Sequence, residues 1–399
     1  MSVLLVLYYI FIISLLIYVG LATIYLLFMA ASYFVLPQKK LSDNKYLNRF
    51  MILVPAHNEE LLIGTLCQSL LQVNYPYGKY KIFVIADNCN DKTIKNASEY
   101  DVEILERHDL EHSGKGHALA WALEEVPVEE FDAVLMVDAD NYVDTEILQD
   151  LNRHINSGEK AIQCYNAVGN RDDSWFTQLL YVSRTIGNLL YHESKYRLGL
   201  SSYLMGNGLC FNAKLLQERG WTAFSTGEDW EYYAQLIESD VKISFASEAK
   251  VYHQESRSLD QATSQRLRWS SGRFHIAKTL GLKLMSKGIV NKNIIVLDAS
   301  MPLILPNYSL LVNLTLVSAL LTLMVPEGEF KTFAAITITL IIVNQLVLFL
   351  MGLILAGSPR KTMFALIYVP VFLVWKLIID ILTFTGIYKG NKWVRTNRH

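Results

Sequence analysis

The chain of 399 residues has no charged side chain between Met1 and Gln38, and this feature constrains its fold more than any other. A helix of about 20 apolar residues is long enough to cross the hydrocarbon core of a bilayer. The run lacks the basic start and short apolar segment of a cleaved signal peptide, so we expect an uncleaved anchor over residues 1–38. Lys39, Lys40 and Lys45 follow, and the positive-inside bias therefore predicts an external N-terminus.

Three further apolar stretches lie near the other end of the chain, at 299–326, 332–359 and 362–388. The third contains Lys376 and Asp380, which are four residues apart and can pair on one helix face. Three spans after the anchor would export the basic tail 389–399, in conflict with the charge bias. The third stretch is therefore either a span or an interfacial or re-entrant helix.

The composition excludes several other classes of protein. Charged residues make up 19% of the chain, against about 25% in an ordinary soluble domain, which argues against a purely soluble or disordered chain. The net charge of −2 provides no basic excess for nucleic acid. Four scattered cysteines without a CxxC pair fit a reducing compartment and exclude a disulfide scaffold.

The middle of the chain, roughly 45–290, alternates β-rich runs with amphipathic helical stretches. The predicted strands are 50–54, 81–86, 102–105 and 133–137, and the predicted helices include 59–73 and 115–125. This alternation predicts an α/β fold, in which helices cover both faces of a mostly parallel sheet.

Polar residues follow the predicted strands, at the edge where such sheets bind ligands. Asp138-Ala-Asp140 comes directly after a buried strand, and two carboxylates so spaced can hold a divalent cation that also takes phosphate oxygens. The alternative for this pair is a capping role at a strand–helix turn. Asp87, after another strand, could bind a base or ribose, or form an Asx-turn.

Three later motifs have similarly open interpretations. Lys115, in Gly-Lys-Gly-His, could contact a diphosphate, although the P-loop spacing is missing. Glu228 and Asp229 begin a predicted helix, where one could be a general base or both could cap the helix. Arg268 and Trp269 could stabilise a leaving diphosphate and stack on a sugar, or belong to a basic interfacial helix. The histidines show no metal-ligand spacing, and a GxSxG elbow is missing.

The order of the motifs VPAHNEE, ADNCND, GKGHAL, VDAD, GNG, GED and QRLRW resembles the membrane-embedded, inverting glycosyltransferases of family 2. Cellulose, hyaluronan, chitin-oligosaccharide and poly-N-acetylglucosamine synthases belong to that family. The resemblance covers about 45–275. It implies a cytoplasmic, Rossmann-like GT-A domain over 45–260, interfacial amphipathic helices with the QxxRW motif over 261–298, and transmembrane or interfacial helices over 299–388.

The resemblance also implies roles for individual residues at the donor end of the site. Pro55, His57 and Glu59 match the first nucleotide-binding loop. Asp87 matches the acid that contacts uracil and ribose, and Lys115 matches the basic residue near the diphosphate.

The remaining matches concern the metal, the general base and the acceptor. Asp138 and Asp140 match the pair that binds Mg or Mn, and Asp229 matches the general base. An inserted glycine before the acids leaves Glu228 as a competitor for that role. The acceptor-end matches are Gly206 and Asn207 in a loop lining the pocket, and Gln265, Arg268 and Trp269 in the QxxRW motif of processive members.

The resemblance thus implies a multi-pass plasma-membrane enzyme with a UDP-sugar donor and a glycan or lipid-linked acceptor. Asp229 would deprotonate an acceptor hydroxyl that attacks the anomeric carbon with inversion. We expect a processive β-polysaccharide synthase, with single addition to a lipid as the alternative and a nucleotide-binding transporter or receptor subunit as a distant one. The chain has fewer membrane segments than the polymer-secreting members of the family, which leaves open whether it forms its own translocation channel. The resemblance also leaves open whether the protein works with accessory subunits or as an oligomer.

Overall fold

The computed structural model describes residues 3–357 and 359–388, so the predicted basic tail 389–399 lies outside the described residues. One eight-stranded sheet has the strand order β3-β2-β1-β4-β7-β6-β8-β5. The strands are β1 (Phe50–Ala56), β2 (Tyr80–Asp87), β3 (Glu103–Arg107), β4 (Ala133–Met136), β5 (Asn141–Val143), β6 (Ala161–Val168), β7 (Leu209–Asn212) and β8 (Ile243–His253).

The sheet is mostly parallel, as predicted. β1 pairs in parallel with β2 and β4, β2 with β3, and β6 with β8. β7 runs antiparallel between β4 and β6, and β5 runs antiparallel to β8 at the edge. The carboxyl ends of β1, β2 and β4 therefore meet at one edge of the sheet, and the predicted donor-binding residues follow these ends.

Both faces of the sheet are covered, because side chains alternate along each strand. In β1, Met51 and Leu53 belong to a core formed with α4, α8 and α9. Phe50, Ile52 and Val54 belong to the core on the opposite face, with α2 and α5. The helices of this part are α2 (Ile63–Leu71), α3 (Thr93–Ala97), α4 (Lys115–Glu125), α5 (Ile147–Asn156), α6 (Trp175–Thr185), α7 (Ser194–Arg197), α8 (Ala213–Arg219) and α9 (Glu228–Glu238).

The second predicted helix, α4, has the predicted bounds, but α2 is shorter than the predicted 59–73. Asn58 has a φ of 57°, which turns the chain away from helical geometry. The carbonyl of Glu59 then accepts hydrogen bonds from the backbone N–H groups of Leu62 and Ile63, at 3.1 and 3.0 Å. Residues 58–62 therefore form a turn at the sheet edge, and the helix begins only after it.

Beyond the sheet, α10 and the helices near the C-terminus lead into a helical bundle with the N-terminal helix. Two continuous helical paths contain π-helical stretches, at Ile186–Glu193 between α6 and α7 and at Ala277–Gly281 between α10 and α11. These helices are α1 (Val3–Val35), α10 (Leu259–Ile276), α11 (Leu282–Val290), α12 (Ile294–Ile304), α13 (Tyr308–Leu323), α14 (Glu329–Ala356), α15 (Pro359–Ala365) and α16 (Val369–Phe384).

Three helical segments of the described chain are long and apolar enough to cross a membrane: Val3–Val35, Glu329–Ala356 and Thr362–Phe384. The predicted apolar stretch 299–326 is instead divided, because α12 and α13 meet at an angle of 66°. Pro306 restricts Leu305 to an extended conformation, and the side chain of Asn307 caps α13 by accepting from the N–H of Leu310 at 2.9 Å. This pair is a fourth candidate span, broken or re-entrant.

The bundle is tied to the α/β domain by buried polar contacts. Arg197 donates to the carbonyls of Tyr33 and Leu36 at 2.6 and 2.9 Å, which caps the C-terminal end of α1. Lys195 pairs with Asp298 of α12 at 2.9 Å, and both side chains are buried. These contacts fix α1 and α12 against the domain that carries the sheet. The predicted Lys376–Asp380 pair is also present, on α16.

Candidate active site

One cavity of about 1470 Å³ opens at the carboxyl edge of β1, β2 and β4 and extends to α13, α14 and α16. Every site residue predicted from the sequence lines it. They are Pro55, His57, Glu59, Asp87, Lys115, Asp138, Asp140, Gly206, Asn207, Glu228, Asp229, Gln265, Arg268 and Trp269. Residues separated by more than 200 positions in the chain therefore converge on one space.

The loops after β1 and β2 form one end of the cavity. The Nδ1 atom of His57 lies 2.7 Å from the backbone oxygen of Asp87, which joins the two loops. Asn88 has a φ of 52° and donates through its side-chain amide to the Asp87 carboxylate at 3.0 Å. This bond joins two side chains and is not the Asx-turn predicted as an alternative, in which a side-chain oxygen accepts from a backbone N–H; Asp87 lines the cavity.

Arg107 is a residue of this region that the sequence did not indicate. Its guanidinium donates to the Asp87 carboxylate at 2.7 Å, and the two side chains are only 6% and 8% exposed. The residues lie side by side because Asp87 of β2 is in register with Arg107 of β3. A single arginine after a predicted strand carries no motif, so only the strand pairing reveals this contact.

The carboxylates of Asp138 and Asp140 follow β4 at the centre of the cavity. The backbone N–H of Asp138 donates to the side-chain oxygen of Asn207 at 3.1 Å. The ammonium of Lys115 contacts both the Asp138 carboxylate and the carbonyl oxygen of Gly206. Burial alone would lower the pKa of Lys115, but Asp138 and Glu228 outweigh it and raise that pKa, so the lysine stays charged.

The donor set suits a divalent cation that arrives with a diphosphate. Mg²⁺ is commonly held by one or two carboxylates together with substrate phosphates and water, and Asp138 and Asp140 supply two hard oxygen donors. Among the described residues, no group of three His, Cys, Asp or Glu side chains is placed to enclose a metal by itself. The residues therefore fit a cation that takes part of its coordination from the substrate.

Glu228 and Asp229 form the first turn of α9 and face the same space. Burial, reinforced by the charge of Glu228, raises the pKa of Asp229 to about 7. Burial also raises the pKa of Glu228, opposed by Lys115. A Cβ atom added at Gly206 would lie only 3.2 Å from an Asp229 carboxylate oxygen, so Asp229 lies directly against the loop that contains Gly206 and Asn207.

The helix α10 brings the QxxRW residues to the cavity through a backbone contact with α9. A Cβ atom at Gly272 would lie 3.1 Å from the Cα of Gly227, the residue before α9. Such an approach requires glycine on both sides. Gln265, Arg268 and Trp269 line the same cavity as the two acids of α9, and the charge of Arg268 acts on Glu228.

The buried carboxylate of Glu255 holds the arginine that contacts the ring of Trp269. Glu255 accepts from Arg266 at 2.6 Å and Arg184 at 3.2 Å, and contacts His253 at 3.0 Å. Burial opposes ionisation, but Arg266 and Arg184 hold the pKa of Glu255 well below its usual range. The Arg266 guanidinium lies 4.7 Å from the centre of the Trp269 ring. This arrangement could not be predicted from the sequence, because Glu255 lies in no motif.

Comparison with known proteins agrees with this geometry. The model of the family described as glycosyltransferase like family 2 matches residues 48–272, more than half of the chain. A β-monoglucosyldiacylglycerol synthase of Trichormus variabilis is 28% identical over 193 residues, which are 46% of this chain and 40% of that protein. The probable glycosyltransferase YdaM of Bacillus subtilis is 23% identical over 58% of this chain and 57% of that protein. The chain thus spans about half the length of these curated relatives.

A solved structure shows the same fold over nearly the whole chain. The mannosyltransferase PcManGT of Pyrobaculum calidifontis, solved with GDP-Man and Mn²⁺, superposes with a TM-score of 0.59 at 16% identity. The match covers 94% of this chain and 99% of that one, and it confirms the predicted GT-A architecture. The family match over residues 48–272 leads to the conclusion that this chain belongs to glycosyltransferase like family 2.

Proposed function

We propose that the protein transfers one sugar, with inversion, from a UDP-sugar to a hydroxyl group of a membrane lipid. The observation that carries this proposal is that a single cavity contains the two acids of α9, the Asp138–Asp140 pair and the inner walls of the membrane helices. A hydroxyl that reaches Asp229 can therefore belong to a molecule whose remainder stays in the bilayer.

The donor end is assigned to the nucleotide-sugar. The Asp87 carboxylate, held by Arg107, is available to accept hydrogen bonds from the base or ribose. Lys115 and Arg268 are positioned to balance the charge of the diphosphate. A Mg²⁺ or Mn²⁺ ion at Asp138 and Asp140 would neutralise the leaving group when it is bound. The uridine base rests on the resemblance to family 2 synthases.

Asp229 is the proposed general base. A carboxylate with a pKa of about 7 is well matched to proton removal near neutral pH. It accepts the hydroxyl proton while the hydroxyl oxygen attacks the anomeric carbon from the face opposite the diphosphate. Glu228 is the second candidate, because burial raises its pKa but Lys115 and Arg268 oppose that rise and so reduce the basicity of its carboxylate.

A lipid acceptor fits the membrane part better than a growing polymer. The described chain has three candidate spans, or four if the bent α12–α13 pair is one. A relative is named for a glucosylated diacylglycerol product. In this proposal the α/β domain lies on the cytoplasmic side of the plasma membrane, because Lys39, Lys40 and Lys45 follow α1.

A processive polysaccharide synthase is the second candidate. It is favoured by Trp269, which lines the cavity, is 37% exposed and belongs to the QxxRW motif. An indole ring that is partly open to the cavity can stack on the apolar face of a sugar already transferred.

Nucleotide release by the protein in proteoliposomes tests the proposal. UDP- and GDP-sugars would be supplied separately with Mn²⁺ or Mg²⁺, and Asp229→Asn would be the control. We expect release with a UDP-sugar only when a hydroxylated lipid is present, and loss of release in the control. Release without the hydroxylated lipid but with a soluble glycan would favour the synthase. The absence of nucleotide release with every combination of donor sugar and acceptor would refute the proposed transfer.

A further inference from the structure

The membrane end of the cavity has a different character from its catalytic end. Its wall includes Val312 and Leu316 of α13, Ile342, Leu346 and Phe349 of α14, and Phe372 of α16. We call this part of the cavity the membrane groove. The helix α13 packs against both α14 and α16, so the three helices form a common wall.

The groove is suited to a hydrocarbon rather than a glycan. Its six defining side chains are apolar, and polar groups beside them on the cavity wall bond to one another: the Gln345 amide donates to the Thr315 hydroxyl at 2.9 Å, and the Tyr308 hydroxyl donates to the Gln345 backbone carbonyl at 2.7 Å. A hydroxyl placed there would lose its water without gaining a partner, at a considerable cost in free energy. Binding of a saccharide chain in this part of the cavity is therefore unfavourable.

The groove also reaches the outer surface of the helical bundle. Leu316 and Leu346 line the cavity and are 44% and 55% exposed. Leu350, one turn beyond Leu346 on α14, is 51% exposed without lining the cavity, so this face of α14 continues from the cavity to the outside of the bundle. In a bilayer, lipid surrounds this surface, so a chain can enter sideways without crossing water. The cavity follows α13 from Tyr308 to Leu316, a length of about 12 Å at 1.5 Å per residue.

From these observations we propose that the membrane groove holds a hydrocarbon chain of the acceptor lipid, which enters from the bilayer between Leu316 and Leu346. The inference rests on the proposed function, since the occupant must carry a hydroxyl that reaches Asp229. A chain already in the bilayer gains little hydrophobic free energy by moving into an apolar groove. The role of the groove is therefore to orient the hydroxyl, which increases the rate of reaction.

The substitution Leu346→Trp tests the groove by filling it. The matched control is Leu350→Trp, one turn further along α14, where Leu350 is 51% exposed and does not line the cavity. Both variants would be reconstituted in phosphatidylcholine nanodiscs, and UDP binding by calorimetry would check that the catalytic domain is folded. The probe is a long-chain 1,2-diacylglycerol with a diazirine in the middle of one acyl chain.

We expect photo-crosslinks concentrated on α13, α14 and α16 at groove residues, at least fivefold weaker in Leu346→Trp and unchanged in Leu350→Trp. Transfer to the long-chain acceptor should fall by a similar factor only in Leu346→Trp. Crosslinks of equal yield at Leu350 and at the groove residues, or equal crosslink yields in the two variants, would refute the proposal that the groove holds the lipid chain. Because crosslinking needs no sugar transfer, failure of the proposed function would appear separately, as a wild-type protein that crosslinks the lipid and never glycosylates it.

Discussion

Replacing Gly116 with alanine should disable the enzyme through a steric contact that can be measured in the structure. A Cβ atom at Gly116 would lie 2.2 Å from the backbone oxygen of Ala223. An ordinary carbon–oxygen contact is about 3.3 Å, so the start of α4 and the segment at Ala223 must separate by about 1 Å. Both neighbours are backbone, and no side chain can turn away.

The displacement acts on Lys115, which precedes Gly116 and contacts Asp138 and Gly206. A misplacement of about 1 Å in an active site can lower the rate about 100-fold, which corresponds to about 2.7 kcal/mol in the barrier. Overpacking should cost about 1–3 kcal/mol of stability, offset by up to about 1 kcal/mol from the better helix former.

The assay is kcat/KM for sugar transfer, with thermal unfolding measured in parallel. Gly187→Ala is the control, because a Cβ there has no heavy atom within 4 Å although Gly187 also lines the cavity. A Gly116→Ala protein with activity within twofold of the wild type and an unchanged melting temperature would refute the steric argument.

Three further predictions follow from the charges of the site. The rate of transfer should rise with pH through about 7, because Asp229 acts as a base only when it is deprotonated. Glu228→Gln should move the midpoint of this rise to lower pH, because it removes a charge that raises the pKa of Asp229. An unchanged midpoint would contradict the effect of Glu228 on Asp229. Chelation of divalent cations should abolish transfer and added Mn²⁺ or Mg²⁺ should restore it, while Asp140→Asn should require more metal; full activity with chelator present would exclude the metal role. Arg107→Ala should destabilise the protein by about 3–5 kcal/mol in denaturant unfolding, since it leaves the Asp87 carboxylate buried and unpaired; the additional change Asp87→Asn should recover part of that loss, and an unchanged unfolding midpoint in Arg107→Ala would contradict the assignment.

The strands and the polar residues that follow them could be predicted from the sequence because they depend on local patterns, whereas the roles of the site residues rest on the resemblance to family 2. Apolar runs fixed the strands β1, β2 and β4, and the polar residues after each strand had to meet at one edge once the strands were parallel. The same topology explains why residues as distant as His57 and Asp229 line one cavity.

Other features depend on contacts between distant segments and have no local signature. Arg107 meets Asp87 only through the register of β2 and β3. The Glu255 carboxylate forms ion pairs with both Arg184 and Arg266, although the three residues come from separate parts of the chain. The glycine contact between α9 and α10 likewise becomes visible only when the two helices are placed together.

The bend between α12 and α13 was a missed local signal. Leu305-Pro306-Asn307 contains both a residue that resists helical geometry and a good helix cap, within a stretch that lacks charge. Hydropathy alone indicated one continuous segment. The angle of 66° shows that the turn residues outweigh the apolar pattern.

The most direct test of the account is mass spectrometry of the lipids after incubation of proteoliposomes with UDP-sugars and Mn²⁺. We expect a lipid whose mass increases by one sugar, with a β-linked product from an α-linked donor, and no such product from the Asp229→Asn protein. A ladder of sugars in the aqueous phase, retention of the donor configuration, or an equal yield from Asp229→Asn would contradict it.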